Sequence, residues 1–269
     1  MKDLTFEIIG DILIIREDVD EFSLKNFAEK KIQKHPFIRS VLFQTSKIQG
    51  QERKRNLKYI MGENTTETIH KEHGNSFLVD LSEVFFSPRL SFERQRIANS
   101  TGNKELILNF FSGVGPFSIV IASKCSSCVV HSIELNKIAY EYLLKNIELN
   151  KCQQKVVPYL GDAFEIVPEM FMDSVNRVLL PLPLDSDKAL PVAHQSLKNG
   201  KGIIHWQITE KTSSKKIDKN IVNNRIRSIP YFLNQPLDYK ITELRLIRWL
   251  GPKIAHIAVD LSFKALEHD

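Results

Sequence analysis

The order of apolar and polar positions divides the chain into two parts, and the first part is built from short runs. Apolar runs at residues 4–9 and 12–16 flank Gly10-Asp11, and such a pair between apolar runs predicts a β-hairpin. Residues 20–34 place apolar side chains at helical spacing instead, which predicts a helix. We interpret residues 1–97 as a small α+β domain, with further strands at 41–43, 59–61, 67–71 and 77–80.

The second part alternates between strand and helix patterns. Apolar runs at 106–110, 129–133 and 156–160 are separated by predicted helices at 116–124 and 138–149. This order implies right-handed βαβ crossovers and a parallel sheet covered on both faces. The pattern therefore predicts an α/β domain over residues 98–269, linked to the first domain by a helix at 87–100 and completed by strands at 177–180, 202–207, 243–249 and 255–263, the last two joined at Gly251-Pro252.

Composition narrows the class of protein only slightly. The longest uninterrupted apolar runs, at 106–108 and 119–122, are too short to cross a bilayer, and the N-terminus lacks a signal-peptide pattern. Three cysteines fit a reducing compartment better than a disulfide framework, so we expect a cytoplasmic protein. The net charge is +5, with basic clusters at 47–58 and 211–227. These clusters would bind phosphates or form ordinary solvated faces, and the sequence leaves both readings open.

Three turns after consecutive predicted strands carry residues of a nucleotide-cofactor site. Glycines 113 and 115 with Pro116 follow the first strand, and glycine lets backbone N–H groups at a helix start approach a ligand closely. Glu134 ends the second strand, where an acidic residue binds ribose hydroxyls. Asp162-Ala163 follow the third strand, where an aspartate can hold the adenine amino group. The alternative is a tight turn without a ligand.

The spacing of these turns fits two cofactor classes, which differ at one position. Ser118 replaces the third glycine of the dinucleotide motif. This replacement argues against a pyrophosphate clamp and favours S-adenosylmethionine (SAM) over a dinucleotide.

Several motifs resemble the archaeal and eukaryotic tRNA (guanine-37-N1)-methyltransferases, and the match runs from about residue 5 to the C-terminus. The resemblance implies a Rossmann-like class I methyltransferase with a mixed, mostly parallel seven-stranded sheet, preceded by the small α+β domain and lacking the family's extra N-terminal domain. It implies SAM as cofactor, the tRNA anticodon stem-loop as partner, and a monomer. The motifs are Glu7-Ile8-Ile9-Gly10-Asp11, Gly62-Glu63-Asn64, Thr68-Ile69-His70-Lys71-Glu72, Phe86-Ser87-Pro88-Arg89-Leu90 with Glu93-Arg94, Gly113-Val114-Gly115-Pro116-Phe117-Ser118-Ile119, Lys145-Asn146-Ile147 with Leu149-Asn150, and Ile204-His205.

The resemblance also assigns roles to single residues near the reacting base. Glu93 matches the base that removes the guanine N1 proton, and Arg53 matches the cation that stabilises charge on O6. Arg94 would meet the SAM carboxylate, and Arg89 would meet RNA phosphate or hold the loop. Arg53 could equally be one more phosphate contact. Without the family match, Arg89 and Glu93 would be an ordinary surface pair on one helix face.

The substrate loop departs from the family pattern. Pro181-Leu182-Pro183 stands where the family has Asn-Leu-Pro, and proline offers the target base neither an N–H nor a polar side chain. Pro181 and Pro183 remain the predicted substrate contacts. Asn109 and Glu134 also replace aspartates of the family.

Three functions stay open because of these departures. The first is methylation of guanosine 37. The second is aminocarboxypropyl transfer by the related wybutosine-pathway enzymes, and the third is tRNA binding without catalysis. The Cys125-Ser126-Ser127-Cys128 motif has only Cys152 as a further thiol, too few ligands for a structural zinc, so no metal is predicted.

Overall fold

The structure is a computed structural model and describes residues 4–45, 55–183, 186–212, 217–233 and 238–264. The chain forms two compact units that are not continuous in sequence. Residues 1–91, 113–116 and 136–151 belong to the first unit, and the remaining residues belong to the second. The two compact units do not test the predicted domain boundary between residues 97 and 98, because a compact unit need not fold on its own. That boundary stays a prediction.

The first unit contains a four-stranded sheet in the order β1-β2-β3-β4. The predicted hairpin is confirmed, because β1 and β2 pair antiparallel around Gly10, whose φ of +58° suits glycine. Strands β2 and β3 run parallel, and the helix α1 connects them. Asp20 caps this helix by accepting from the Ser23 N–H. The bounds are β1 (Phe6–Ile9), β2 (Ile12–Ile15), α1 (Glu21–Lys34), β3 (Ser40–Gln44) and β4 (Leu57–Gly62).

The same unit holds a second hairpin and one helix of the βα series. Strands β5 (Glu67–Glu72) and β6 (Asn75–Asp80) pair antiparallel around His73-Gly74. The fully buried Asn146 accepts from the Leu78 N–H at 2.7 Å and donates to the Leu78 carbonyl at 3.0 Å. Asn146 lies on α4 (Lys137–Leu149), so one amide side chain ties this helix to the hairpin.

The second unit contains the predicted seven-stranded sheet, in the order β12-β13-β11-β10-β7-β8-β9. Five neighbouring strands, β11 to β9 in this order, run parallel, while β13 and β12 run antiparallel. The prediction of a mixed, mostly parallel sheet is confirmed. The bounds are β7 (Leu106–Asn109), β8 (Val129–Glu134), β9 (Val156–Leu160), β10 (Arg177–Leu180), β11 (Gly202–Lys211), β12 (Tyr239–Gly251) and β13 (Ile254–Phe263).

Helices complete the βα series, and three of them have no sequence prediction. Their buried side chains share one core with the sheet, including Val167, Leu190 and Ile226. Two of the three carry a proline inside the helix, Pro168 and Pro191. The bounds are α2 (Ser91–Ser100), α3 (Pro116–Lys124), α5 (Ala163–Met170), α6 (Ser186–Ser196) and α7 (Lys219–Arg227).

The helix predicted at 87–100 is present: it begins as a 3-10 turn at Pro88–Leu90 and continues as α2, and 3-10 turns are frequent at helix N-termini. One predicted turn is wrong. The last hairpin turns at Pro252-Lys253 rather than Gly251-Pro252, since Gly251 still pairs with Ile254 and Lys253 takes the positive φ of +60°. No helix among the described residues is long and apolar enough to span a membrane.

Candidate active site

The carboxyl ends of the parallel strands bring several predicted residues of the second unit to one edge of the sheet. Asn109 ends β7, Glu134 ends β8, and Gly161 follows β9. The Ser112 N–H donates to the Ile133 carbonyl at 2.9 Å, and the Gly161 N–H donates to the Glu134 carbonyl at 3.0 Å. The turns after β7 and β9 are therefore fixed to the end of β8, where ligands bind in open α/β sheets.

Asp162 and Ala163 begin the helix α5 at this edge. The Asp162 Oδ1 accepts from the Phe164 N–H at 2.8 Å, which is an N-cap. The cap fixes the carboxylate beside the helix N-terminus, while Ala163 is buried beneath it. Because the cap uses Oδ1, the second oxygen, Oδ2, fits an amino group of a ligand.

Two buried oxygens near the end of β7 have no hydrogen-bond partner among the described residues. They are Asn109 Oδ1 and Ser112 Oγ. The Asn109 amide donates through Nδ2 to Ser118 Oγ at 3.0 Å, so its orientation is set and its oxygen remains an acceptor. Buried polar atoms are satisfied in native proteins as a rule. The two atoms therefore fit a ligand with N–H donors, such as the ammonium group of SAM.

The glycine turn after β7 belongs to the first unit. Gly113 and Gly115 have φ of +55° and +89°, the left-handed region that favours glycine. A Cβ on Gly113 would meet no atom within 4 Å. The Val114 carbonyl accepts from Asn146 Nδ2 at 3.0 Å, which holds the turn, and Pro116 is the first residue of α3. The turn thus has the backbone form that the sequence predicts.

Glu93 is buried in the first turn of α2 and has two arginine partners. Its Oε1 accepts from Arg96 Nε at 3.0 Å and Nη2 at 2.5 Å. Its Oε2 accepts from Arg245 Nη2. The carboxylate is only 2% exposed, so the alternative of a surface pair with Arg89 is wrong.

Arg96 connects Glu93 to a second buried carboxylate. Its Nη1 and Nη2 donate to Asp260 at 2.5 and 2.8 Å, which is a bidentate pair. Asp260 Oδ1 also accepts from His205 Nδ1 at 2.7 Å. His205 Nε2 in turn accepts from Arg177 Nη1 at 2.6 Å. Since that nitrogen accepts, the proton lies on Nδ1 and the imidazole is neutral.

The ionisation of this network follows from its burial and its partners. Burial raises the pKa of Asp260, but its hydrogen bonds with His205 and Arg96 outweigh that effect and hold it well below its usual range. Burial lowers the pKa of His205, against the opposing effect of Asp260. The ion-paired carboxylates of Glu93 and Asp260 and the neutral imidazole of His205 form one rigid hydrogen-bond network.

A small cavity joins Glu93 to the substrate loop. Its volume is about 10 Å³, and Glu93, Phe117, Pro181, His205 and Asp260 lie among its lining residues. This is room for about one water molecule. The structure therefore brings Glu93 and Pro181 together at the carboxyl end of β10, while Pro183 is buried two residues further along the loop.

The remaining predicted arginines have different environments. Arg94 is buried, and its guanidinium lies 5.8 Å from the Phe117 ring centroid. Arg89 is exposed in the 3-10 turn. Arg53 lies outside the described residues.

Two members of the basic clusters are not surface cations. Arg55 is buried and donates to Glu7 Oε1 at 2.6 Å and to the Phe86 carbonyl at 3.0 Å. Burial, with a smaller contribution from Arg89, lowers the pKa of Arg55 to about 10. Arg225 pairs with Asp187 at 2.9 Å. Neither alternative left open for the basic clusters, phosphate contact or solvated face, describes these two arginines, because internal carboxylates pair with them.

The Cys125–Cys128 motif is bonded within its own turn. The Cys128 N–H donates to Cys125 Sγ at 3.0 Å, and Lys155 Nζ donates to the Cys125 carbonyl at 2.7 Å. Burial raises the pKa of the Cys128 thiol to about 12. The thiol therefore stays protonated and unreactive near neutral pH.

The sequence of this chain matches one protein family over most of its second half and part of its first. The TRM5/TYW2 methyltransferase domain matches residues 68–231. The chain belongs to the TRM5/TYW2 methyltransferase family. This membership agrees with the class I fold and with the cofactor edge described above, and it covers β5 to α7.

Two relatives within the family are similar along nearly the whole chain. The tRNA 4-demethylwyosine(37)-methyltransferase Taw21 of Saccharolobus solfataricus is 35% identical, over 95% of this chain and 92% of that protein. The tRNA (guanine(37)-N(1))-methyltransferase Trm5b of Methanocaldococcus jannaschii is 32% identical, over 96% of this chain and 70% of that protein.

Solved structures of the family share the fold. The complex of aTrm5 and tRNALeu superposes with a TM-score of 0.81 at 32% identity, over 97% of this chain and 72% of that chain. The TYW2 of M. jannaschii in complex with AdoMet superposes with a TM-score of 0.71 at 26% identity, over 97% of this chain and all of that chain.

The buried His205 predicts an acid-side loss of stability. Its folded pKa lies below the ordinary value of 6.5, so the unfolded chain binds more protons as the pH falls through 6.5. We expect the free energy of unfolding to fall with falling pH there, by up to about 1.4 kcal/mol per pH unit for each such histidine. His131 and His194 add to this trend, since burial lowers their pKa values too.

Urea denaturation between about pH 7.5 and pH 5.5 measures the effect. The variant His205→Gln offers an amide donor to Asp260 and an acceptor to Arg177 but does not titrate, so its pH slope should be shallower. An equal slope in the variant and the wild type contradicts the assignment.

Proposed function

We propose that this chain is a SAM-dependent tRNA methyltransferase that forms N1-methylguanosine at position 37, next to the anticodon. The observation that carries the proposal is the buried, ion-paired carboxylate of Glu93, which shares a cavity with the substrate loop at Pro181. Guanine N1 carries a proton and is a poor nucleophile until that proton leaves. A fixed carboxylate beside the base meets this requirement.

The residues at the carboxyl edge of the sheet fit SAM. Glu134 accepts from the ribose hydroxyls, Asp162 accepts from the adenine amino group, and Ala163 lies against the ring. Asn109 Oδ1 and Ser112 Oγ, both buried without a partner among the described residues, face donors of the methionine portion. Arg94 meets the carboxylate. The roles of Gly113, Gly115 and Pro116 stay predictions from the sequence.

When bound, SAM supplies a methyl group on an electrophilic sulfonium. The chain's own contribution is to hold the base and move the N1 proton. Glu93 Oε1 already takes two N–H donors of Arg96, while Oε2 takes one donor, so Oε2 has room for the proton. Arg53, as the resemblance implies, stabilises charge on O6, and Arg89 takes a backbone phosphate.

A second candidate substrate is 4-demethylwyosine at position 37. Taw21, which is 35% identical over 95% of this chain, is named for that substrate. Pro181 also removes the polar side chain that the family presents to guanine. Both candidates are methyl transfers to the same nucleotide, and they differ in the acceptor ring.

The proposal also covers the binding partner, the oligomeric state and the cellular compartment. The enzyme binds the anticodon stem-loop of tRNA as a monomer in the cytoplasm. The solved complex of aTrm5 with tRNALeu, similar over nearly this whole chain, supports tRNA as the partner. The net charge of +5 favours association with a polyanion.

Transfer of label from SAM tests the reaction. We expect tRNA with unmodified guanosine 37 to gain label from methyl-labelled SAM and to yield N1-methylguanosine by mass spectrometry. Label on tRNA containing 4-demethylwyosine alone would select the second substrate. Transfer from SAM labelled in the aminocarboxypropyl group would select the wybutosine-pathway reaction, and no transfer from either label would leave a tRNA-binding protein.

Substitution of Glu134 tests the cofactor assignment. Glu134→Ala should weaken SAM binding about 10- to 100-fold, because hydrogen bonds to a charged group contribute roughly 1.5–3 kcal/mol. Isothermal titration calorimetry measures the affinity. Glu165→Ala, an exposed carboxylate on α5, is the matched control and should bind normally. Unchanged affinity in Glu134→Ala would refute the assignment.

Substitution of Glu93 tests the proton acceptor. Glu93→Gln keeps the shape of the side chain and loses its charge, so the single-turnover methylation rate should fall about 10²- to 10⁴-fold. SAM and tRNA affinities should change much less than this rate. Glu165→Gln serves as the control, and a rate equal to the wild type would reject Glu93 as the acceptor.

A further inference from the structure

Arg245 links Glu93 to an exposed aromatic ring. Its Nη2 donates to Glu93 Oε2, and its guanidinium carbon lies 4.5 Å from the centroid of the Phe92 ring. A flat cation thus covers the ring and donates to the carboxylate at the same time. All three residues belong to the second unit.

The two arginine partners of Glu93 differ in how firmly they are held. Arg96 makes paired hydrogen bonds to Asp260 in addition to those with Glu93. Arg245 is 30% exposed, and its buried Nε has no partner among the described residues. Arg245 is therefore the exchangeable partner, and its departure would open Oε2.

The aromatic neighbour is also available to a ligand. Phe92 is 63% exposed, so much of its ring is accessible for a base to stack on. The cavity beside Glu93 holds about 10 Å³, far less than a nucleobase needs. A base that reaches Glu93 must therefore be received at the surface, where Phe92 and Arg245 lie.

The chemistry of guanine matches what Arg245 does there. The N1–C2–N2 edge of guanine is a guanidine group, with N–H donors on one side of a flat ring. We propose that Arg245 occupies the place of the target guanine in the tRNA-free enzyme. On this proposal, guanine 37 displaces Arg245, donates from its N1–H edge to Glu93 Oε2, and stacks on Phe92.

This inference rests on the proposed function and narrows its substrate. Flipped-out bases are read through hydrogen bonds to the Watson–Crick edge and through stacking on aromatic side chains. The third ring of 4-demethylwyosine bridges N1 and N2, so that base offers no N1–H to Glu93. The arrangement of Glu93 and Phe92 therefore favours guanine over 4-demethylwyosine as the base that receives the methyl group.

Equilibrium binding of tRNA tests the proposal without requiring methyl transfer. The wild type and the variant Arg245→Met are titrated with otherwise identical tRNAs that carry G37 or A37. Met removes the competing guanidinium but keeps the length of the side chain. We expect Arg245→Met to bind G37 tRNA about three- to tenfold more tightly and A37 tRNA unchanged, because adenine N1 is an acceptor and cannot replace Arg245.

Two further variants separate this role from a structural one. Phe92→Leu should weaken G37 tRNA binding at least about fivefold, as loss of one base–aromatic stack does. Arg248→Met, three residues further along the same strand, should leave the G37-to-A37 ratio unchanged. Thermal melting of each variant checks that it folds.

The contrary outcomes are equally specific. An equal loss of affinity for both tRNAs in Arg245→Met would make Arg245 a phosphate contact, and no change in either would make it a structural residue. Either result overturns the proposal. If the wild type transfers label but Arg245→Met has no G37-specific effect, this inference fails and the proposed function stands. A G37-specific effect without transfer supports the inference and defeats the proposed function.

Discussion

The hydrogen bonds of the buried Asp260 carboxylate hold the side chains around Glu93 in place within the second unit. This carboxylate is buried on β13 and accepts from Arg96 on α2 and His205 on β11, while Arg177 on β10 fixes the imidazole from the other side. Four elements are thereby joined through one buried anion. Removing a single partner from a buried pair costs about 3–5 kcal/mol, because a charge is left uncompensated. That constraint holds the Arg96 guanidinium, and with it Glu93, in one place.

The same network separates what is fixed from what can move. Arg96 has four hydrogen bonds to two carboxylates, so its guanidinium is held in one position. Arg245 reaches Glu93 from the edge strand and remains partly exposed. In the function proposed above, Arg96 holds the Glu93 carboxylate in position, and Arg245 compensates its charge until the substrate arrives.

The sequence predicts the sheet well because βα periodicity is a local signal. The turn at Gly113, the acidic residue at Glu134 and the capping Asp162 are all read from spacing within about 50 residues of chain. The network around Glu93 cannot be read from such spacing, since Arg96 meets Asp260 across 164 residues and Arg245 meets Glu93 across 152. No spacing rule connects such pairs. The helices α5 and α6 are also missed, because an internal proline normally indicates a helix end.

The strand β12 has a property that follows from its irregular pairing. Its register with β13 shifts at three places, between Ile241 and Glu243, Leu246 and Arg248, and Trp249 and Gly251. It is the last strand of its sheet, and an exposed edge with regular spacing would invite another chain to add a strand. Bulges and arginines along such an edge interrupt the row of backbone donors and acceptors. The irregular pairing of β12 thus protects a concentrated solution of this protein from aggregating strand by strand.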